Sequence, residues 1–266
     1  MLLSNLLKGI YSVERTIAVR IACNMKYQSA ILNFLLSISL FCVSFYIAWN
    51  LNAAANFLYS TWYEVLNLDE TISKYAPDNK FKNGFENTNQ QQHIELFSGI
   101  VAGIQRDGEG LRDLSYLDEE KNAKRTLLTD AEVVHLKDVA TLVSKFKYLV
   151  IFGPLIVCIV FILMRTRKIP VAKFKRHLIG GVGVILALAV LVMLIGPTKI
   201  FYVGHELIFP NNHQWFFYYE ESLMSTMMKA PVLFGPIACQ LLLLTVLLWL
   251  AALYFLQRFQ AASRKV

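Results

Sequence analysis

The sequence predicts an all-α membrane protein, with four transmembrane helices and a mainly helical extracytoplasmic cap. Two observations carry that prediction. The chain of 266 residues is 56% hydrophobic, with a mean hydropathy of +0.46, outside the range usual for soluble domains. Four apolar runs, at residues 30–51, 146–164, 178–196 and 231–256, approach the ~20 residues that a spanning helix needs. None has an acid or a base in its middle.

The elements follow in order. Residues 1–29 read as a cytoplasmic amphipathic segment. Leu3, Leu6, Ile10, Val13, Ile17 and Ile21 share one helical face, and Asn5, Lys8, Ser12 and Arg15 share the other. A basic helix of this kind lies in the membrane interface. No cleavage site is evident before the run at 30–51, so that run is expected to be an anchor and not a signal peptide.

Residues 52–145 form the predicted cap. "LNAAANFLYSTWYEVLNL" is expected to continue the first span outward as a helix. The Asn-rich "YAPDNKFKNGFENTN" reads as loop. Ile94, Phe97, Val101 and Ile104 have helical spacing, and Gly108 and Gly110 stop that helix. A hairpin is expected to turn at Asp118–Asn122. Thr129 stands three residues before Glu132, the pattern of a capping box. The helix it starts runs on into the second span, and His135 and Asp138 share one of its faces.

Residues 165–177 are a basic loop, with Arg165, Arg167, Lys168, Lys173, Lys175 and Arg176 and no acid. In the third span, "GGVG" at 180–183 offers small residues for helix packing. An aromatic outer loop follows at 197–230. Within it, "YEESLMSTMMKAP" is expected to be a short helix along the surface. Pro231 suits the first turn of the fourth span, and residues 257–266 form the tail. Lys and Arg concentrate before the first run, in the 165–177 loop and in the tail, which places both termini in the cytoplasm and the cap outside. The inner face would then meet anionic lipid. Residues 51–144 carry 15 acids against 9 bases, so nothing supports nucleic-acid binding. None of the four cysteines falls in the cap, which excludes a disulfide framework there.

Phe201, Tyr202, Phe209, Trp215 and Phe217 crowd the outer loop. Such residues commonly form a belt at headgroup level. His135 and His205 fall on the same side, beside this aromatic region. An imidazole titrates near neutral pH and serves as base or donor there. Asp138 is placed to orient His135, and Glu206 to orient His205. His93 and His213 read as structural and surface residues. The outer histidines fit no zinc spacing. No metal or other cofactor is expected, and there is no GxSxG or Walker loop.

Two segments, "LLTDAEVVHLKDVATLV" and "HELIFPNNHQWFF", carry a resemblance. They are similar to two signatures of the integral-membrane family that includes the lipoprotein intramolecular transacylase Lit. In the first, His135 is followed by Asp138 and Val139. In the second, His205 precedes Leu207, Phe209, Asn211, Asn212 and Trp215. Where the family often has Asp-Pro after the Trp, this chain has Tyr218-Tyr219. The resemblance implies that an acyl chain moves from the second glycerol position of a bacterial lipoprotein to the α-amine of its lipidated N-terminal Cys. It implies catalytic roles for His135 and His205, with Asp138, Glu206, Asn211 and Asn212 in support and the aromatics holding the acyl chains. Which imidazole is the base stays open. The alternative is a non-catalytic assembly or lipid-binding protein that docks a lipid or a membrane-protein partner on the same aromatic surface. In either reading the protein sits in the bacterial inner membrane.

Overall fold

The computed structural model describes the backbone of residues 2–120 and 122–263, and within those limits the side chains from residue 24 onward. Among the described residues, four helical segments are long and apolar enough to cross a membrane: Asn24–Ala54, Asp130–Thr166, Phe174–Ile195 and Phe234–Ala262. Apart from one small hairpin the rest of the regular structure is helical, so the predicted fold class holds. Helix α1 (Leu2–Ala54) is continuous from the amino-terminal segment into the first span. The amphipathic face expected for residues 1–29 falls mostly on side chains outside the described ones, as do Arg264 and Lys265 of the tail.

The second segment is two helices. α5 (Asp130–Ser144) stands in the cap, and α6 (Lys147–Thr166) continues below it after a short turn. With 20 residues, α6 is about 30 Å long, which matches the apolar thickness of a bilayer. α1 packs along α6 and along α10 (Phe234–Ala262). Gly153 lets α1 approach, since a Cβ there would lie 2.5 Å from Val43 Cγ2. At the end away from the cap, Leu36, Met164, Trp249 and Leu253 bury Ile169 and Val171 of the 165–177 loop. Side-chain amides fasten that loop. Gln260 accepts from Val171 N at 2.7 Å and donates to Ile169 O at 3.0 Å, and Asn33 accepts from Ala172 N at 2.7 Å. The loop that the sequence marked only as basic is folded onto the bundle.

α7 (Phe174–Ile195) has no buried residue. Its "GGVG" motif does less than expected. Gly181 packs against Trp249, whereas Gly180 and Gly183 have nothing within 4 Å of a built Cβ. His177, expected in the basic loop, lies in α7 with its ring 6.3 Å from that of Trp249.

The chain does not run straight from α1 into the cap. Asn56, Phe57 and Leu58 have φ of 51°, 48° and 55°, which ends the expected continuous helix. Left-handed backbone costs roughly 1–2 kcal/mol per non-glycine residue, so something must hold the turn. Gln240 of α10 does so. Its amide nitrogen donates to Asn52 Oδ1 at 2.8 Å and to Phe57 O at 2.9 Å, and its oxygen accepts from Trp62 Nε1 at 3.0 Å.

The cap then builds from α2 (Tyr59–Val65), α3 (Leu68–Tyr75), α4 (Gln90–Gln105), and the hairpin of β1 (Ser115–Asp118) and β2 (Ala123–Thr126). The strands pair antiparallel with Asp118 opposite Ala123, where the sequence placed the turn. A single core joins these elements to α5 and to α9 (Leu223–Met228). Tyr59 stacks on Phe97 at 4.1 Å and donates to Met227 O at 2.9 Å. All six residues of α9 are buried, so this helix lies inside the cap and not along its surface. Leu223, Met224, Met227 and Met228 occupy one face, and the polar face is enclosed as well, with Ser225 and Thr226 both buried.

His93 is part of this core. Thr88 Oγ1 donates to Phe85 O, so it accepts from His93 Nε2–H at 2.7 Å. Nδ1 then accepts from the Tyr63 hydroxyl at 3.0 Å. Burial lowers the His93 pKa to about 4. Between pH 6.5, the ordinary value, and about 4, the unfolded chain binds a proton that the folded cap does not. Cap stability therefore falls as pH drops through that window, by on the order of 3 kcal/mol, and levels off below it. Unfolding of the cap followed from pH 7.5 to pH 4 should show that slope in the unaltered protein and a flatter one in His93→Asn. Equal slopes would refute the assignment.

Candidate active site

The candidate side chains meet where α5, α8 (Pro197–Ile208) and the following loop converge. Gly196, at φ 93°, ends α7, and Pro197 opens α8 at a position where its missing N–H is no loss. α8 carries Phe201 and His205 one turn apart. α5 starts at the expected capping box: Thr129 accepts from Glu132 N, and Glu132 reaches back to Thr129 N. From there His135 points toward α8.

The ring centroids of His135 and His205 are 6.2 Å apart. Aromatic rings surround them. Phe209 lies 4.9 Å from His135 and 5.2 Å from His205, Trp215 is 4.9 Å from His205, and Phe217 is 6.1 Å from His135. Phe201 packs on His205 at 4.0 Å, and Tyr202 packs on Trp215 at 5.5 Å. The structure thus gathers both histidines and all five aromatics into one place.

The hydrogen bonds distinguish the two imidazoles. His205 Nδ1 lies 2.8 Å from the carbonyl oxygen of Phe201. A carbonyl only accepts, so Nδ1 carries the hydrogen and Nε2 of the neutral ring holds a lone pair. Burial pushes the His205 pKa below the usual histidine range, against an upward pull from that hydrogen bond. His135 is 9% exposed, and its Nδ1 is buried with no hydrogen-bond partner among the described residues. Two imidazolium charges this close would repel, which disfavours protonating both rings together.

The supporting residues fall differently from expectation. Asp138 does not orient His135. Its Oδ2 lies 2.6 Å from Nδ1 of His213, the residue expected to be a surface histidine. Glu206 does not orient His205, because the Phe201 carbonyl occupies Nδ1. Glu206 is exposed, about 100° further round the helix. Asn211 and Asn212 are exposed on the loop. Glu132 is a member the sequence reading missed. Fully buried, it accepts a hydrogen bond from Ser222, whose hydroxyl also caps α9 by accepting from Ser225 N at 2.8 Å. Glu132 so joins the starts of α5 and α9. Among the described residues, no group of three His, Cys, Asp or Glu is placed to hold a metal ion.

The family model for the lipoprotein intramolecular transacylase Lit matches residues 32–230. The chain belongs to the Lit family. Solved structures of Lit from Bacillus cereus share its fold. A histidine-to-arginine variant of that membrane-integral protein aligns with a TM-score of 0.63 at 16% identity, covering 92% of this chain and 97% of the other. A histidine-to-alanine variant aligns at 0.61 and 17%, covering 91% and 97%. A further Lit structure from the same organism aligns at 0.61 and 17%, covering 90% and 99%. Comparison with curated proteins gives no match. Membership of the Lit family and the four apolar helices make this a membrane protein.

Replacing Glu132 by Ala would remove one N-cap contact and leave the buried Ser222 hydroxyl without its acceptor. Those losses amount to about 2–4 kcal/mol. The expected result is a clearly lower unfolding temperature for Glu132→Ala and a smaller drop for Ser222→Ala. A Glu132→Ala protein as stable as the unaltered one would contradict the linking role.

Proposed function

We propose that this chain transfers an acyl chain from the glyceryl ester of a bacterial lipoprotein to the α-amine of that lipoprotein's N-terminal cysteine. The observation that carries the reading is the imidazole pair, 6.2 Å apart and walled by aromatic rings, at the junction of cap and spans. Family membership supports the reaction class.

In this reading His205 is the base. Its Nε2 lone pair takes a proton from the amine as nitrogen bonds to the ester carbonyl carbon. The neutral His135 ring donates its N–H to the oxyanion that forms. The bond to the glycerol oxygen then breaks, and the proton held on His205 passes to that oxygen. The products are an amide and a free glycerol hydroxyl. Phe201, Tyr202, Phe209, Trp215 and Phe217 line the acyl chains and exclude water, which favours the amine as nucleophile. Holding ester and amine in one molecule supplies much of the rate enhancement.

The charge distribution supports the placement. The 165–177 loop carries six Lys and Arg residues and no acid, which favours the cytoplasmic side. Both termini then lie in the cytoplasm, and the cap of residues 52–145 and the 197–230 segment lie outside a bacterial inner membrane. The basic loop meets anionic lipid.

Mass spectrometry of lipoproteins from cells with and without the protein tests the reaction. The expected result is one acyl chain moved from glycerol to the N-terminus. His135→Ala and His205→Ala should each lower that product by roughly 100-fold or more. An acyl pattern identical with and without the protein would refute the reading.

A further inference from the structure

We infer that Asp138 and His213 form a fastener that holds the aromatic loop against α5, and that this fastener sets how much of the cleaved ester is transferred and how much is hydrolysed. The inference rests on the acyl-transfer reading above.

Three polar side chains project from one side of α5 at three-residue spacing: Glu132, His135 and Asp138. The outer two each bind the 197–230 segment. Glu132 accepts from Ser222, and Asp138 holds His213 at 2.6 Å. His135, whose Nδ1 has no hydrogen-bond partner among the described residues, stands between these two attachments. Phe209 and Phe217, on either side of His213 in the chain, both contact the His135 ring. The loop between them has no regular structure, and Asn211, Asn212, Gln214 and Phe216 are exposed. Its other hydrogen bonds are local: Phe209 N to His205 O, His213 N to Pro210 O, and Gln214 Nε2 to Phe216 O. They shape the loop without tying it to α5. The Asp138–His213 bond, with side chains 21% and 33% exposed, does tie it. A partly buried, charge-assisted bond is among the stronger single contacts available for this.

The chemical consequence concerns the competing nucleophile. In transfer, the amine nitrogen bonds to the carbonyl carbon, the bond to the glycerol oxygen breaks, and that oxygen takes the amine's proton. In hydrolysis, water oxygen bonds to the same carbon, the same bond breaks, the glycerol oxygen takes a proton from water, and a free fatty acid leaves. One base serves both. Water's access to the imidazole pair therefore decides the split, and the loop is what limits that access.

The test uses the purified full chain in lipid, with a synthetic diacylated lipopeptide as substrate. Asp138→Ala and His213→Ala should each lower the ratio of N-acyl product to free fatty acid by roughly tenfold, and the double variant should fall no further. His213→Gln keeps an N–H for Asp138 and should restore most of the ratio. Hydrogen exchange without substrate gives a second readout. Amides of residues 209–218 should exchange faster in the alanine variants, while those of α4 stay protected. An unchanged ratio, additive losses in the double variant, or unchanged exchange in the loop would overturn the fastener. If the unaltered protein gives neither product but the variants still loosen the loop, it is the transfer reading that fails and its effect on the split with it, while the contact itself stands.

Discussion

Burying a carboxylate away from water is costly unless hydrogen bonds replace its hydration. Glu132 is fully buried, and two helix starts of the cap are placed to satisfy it. One oxygen holds Thr129 N at the start of α5, and the other holds Ser222 at the start of α9. Segments 90 residues apart are so brought together. Placing the 197–230 segment against α5 in this way sets its aromatic loop beside His135. The same side of α5 then offers Asp138 to His213. The position of His205 relative to His135 follows from how this polar side of one helix is paired.

A second constraint links the cap to the spans. α1 ends in three left-handed residues, a conformation unfavourable without external contacts, and Gln240 supplies them from α10. The cap therefore leaves the bundle at a fixed angle. By contrast α7, which leads to α8 and His205, has no buried residue. The helix that delivers one imidazole packs on α10 at its start, through Phe174, His177 and Gly181, and the site's geometry depends on the contacts of α8 and its loop. Several attachments on the α5 side and few on the α7 side are consistent with the proposed reaction, in which acyl chains enter from the membrane.

Much of this was legible in the sequence. Spans announce themselves because a helix in lipid needs an unbroken apolar stretch. The capping box and the hairpin were readable for a different reason, since each is specified within a few residues. The partners of Asp138 and His205 are not legible, because closeness in sequence does not determine which groups bond. Asp138 bonds across 75 residues to His213, and His205 uses the carbonyl one turn behind it. The break at 56–58 left no Gly or Pro to mark it, because its stabilisation comes from Gln240 on another helix. The burial of α9 is not marked in its short mixed sequence, in which Ser222, Ser225 and Thr226 are all buried and bonded within the cap. What was missed in each case is set by contacts between distant segments.

The central claim is that His135 and His205 act together on one ester and one amine of the same molecule. Its most direct test follows a label. A diacylated lipopeptide carrying an isotopically labelled acyl chain at the second glycerol position is mixed with an unlabelled one and incubated with the purified protein. The account predicts that the label moves to the N-terminal amide of the molecule that carried it, and that the movement stops in both His135→Ala and His205→Ala. Label that stays on glycerol, or that moves equally well without either imidazole, would contradict it.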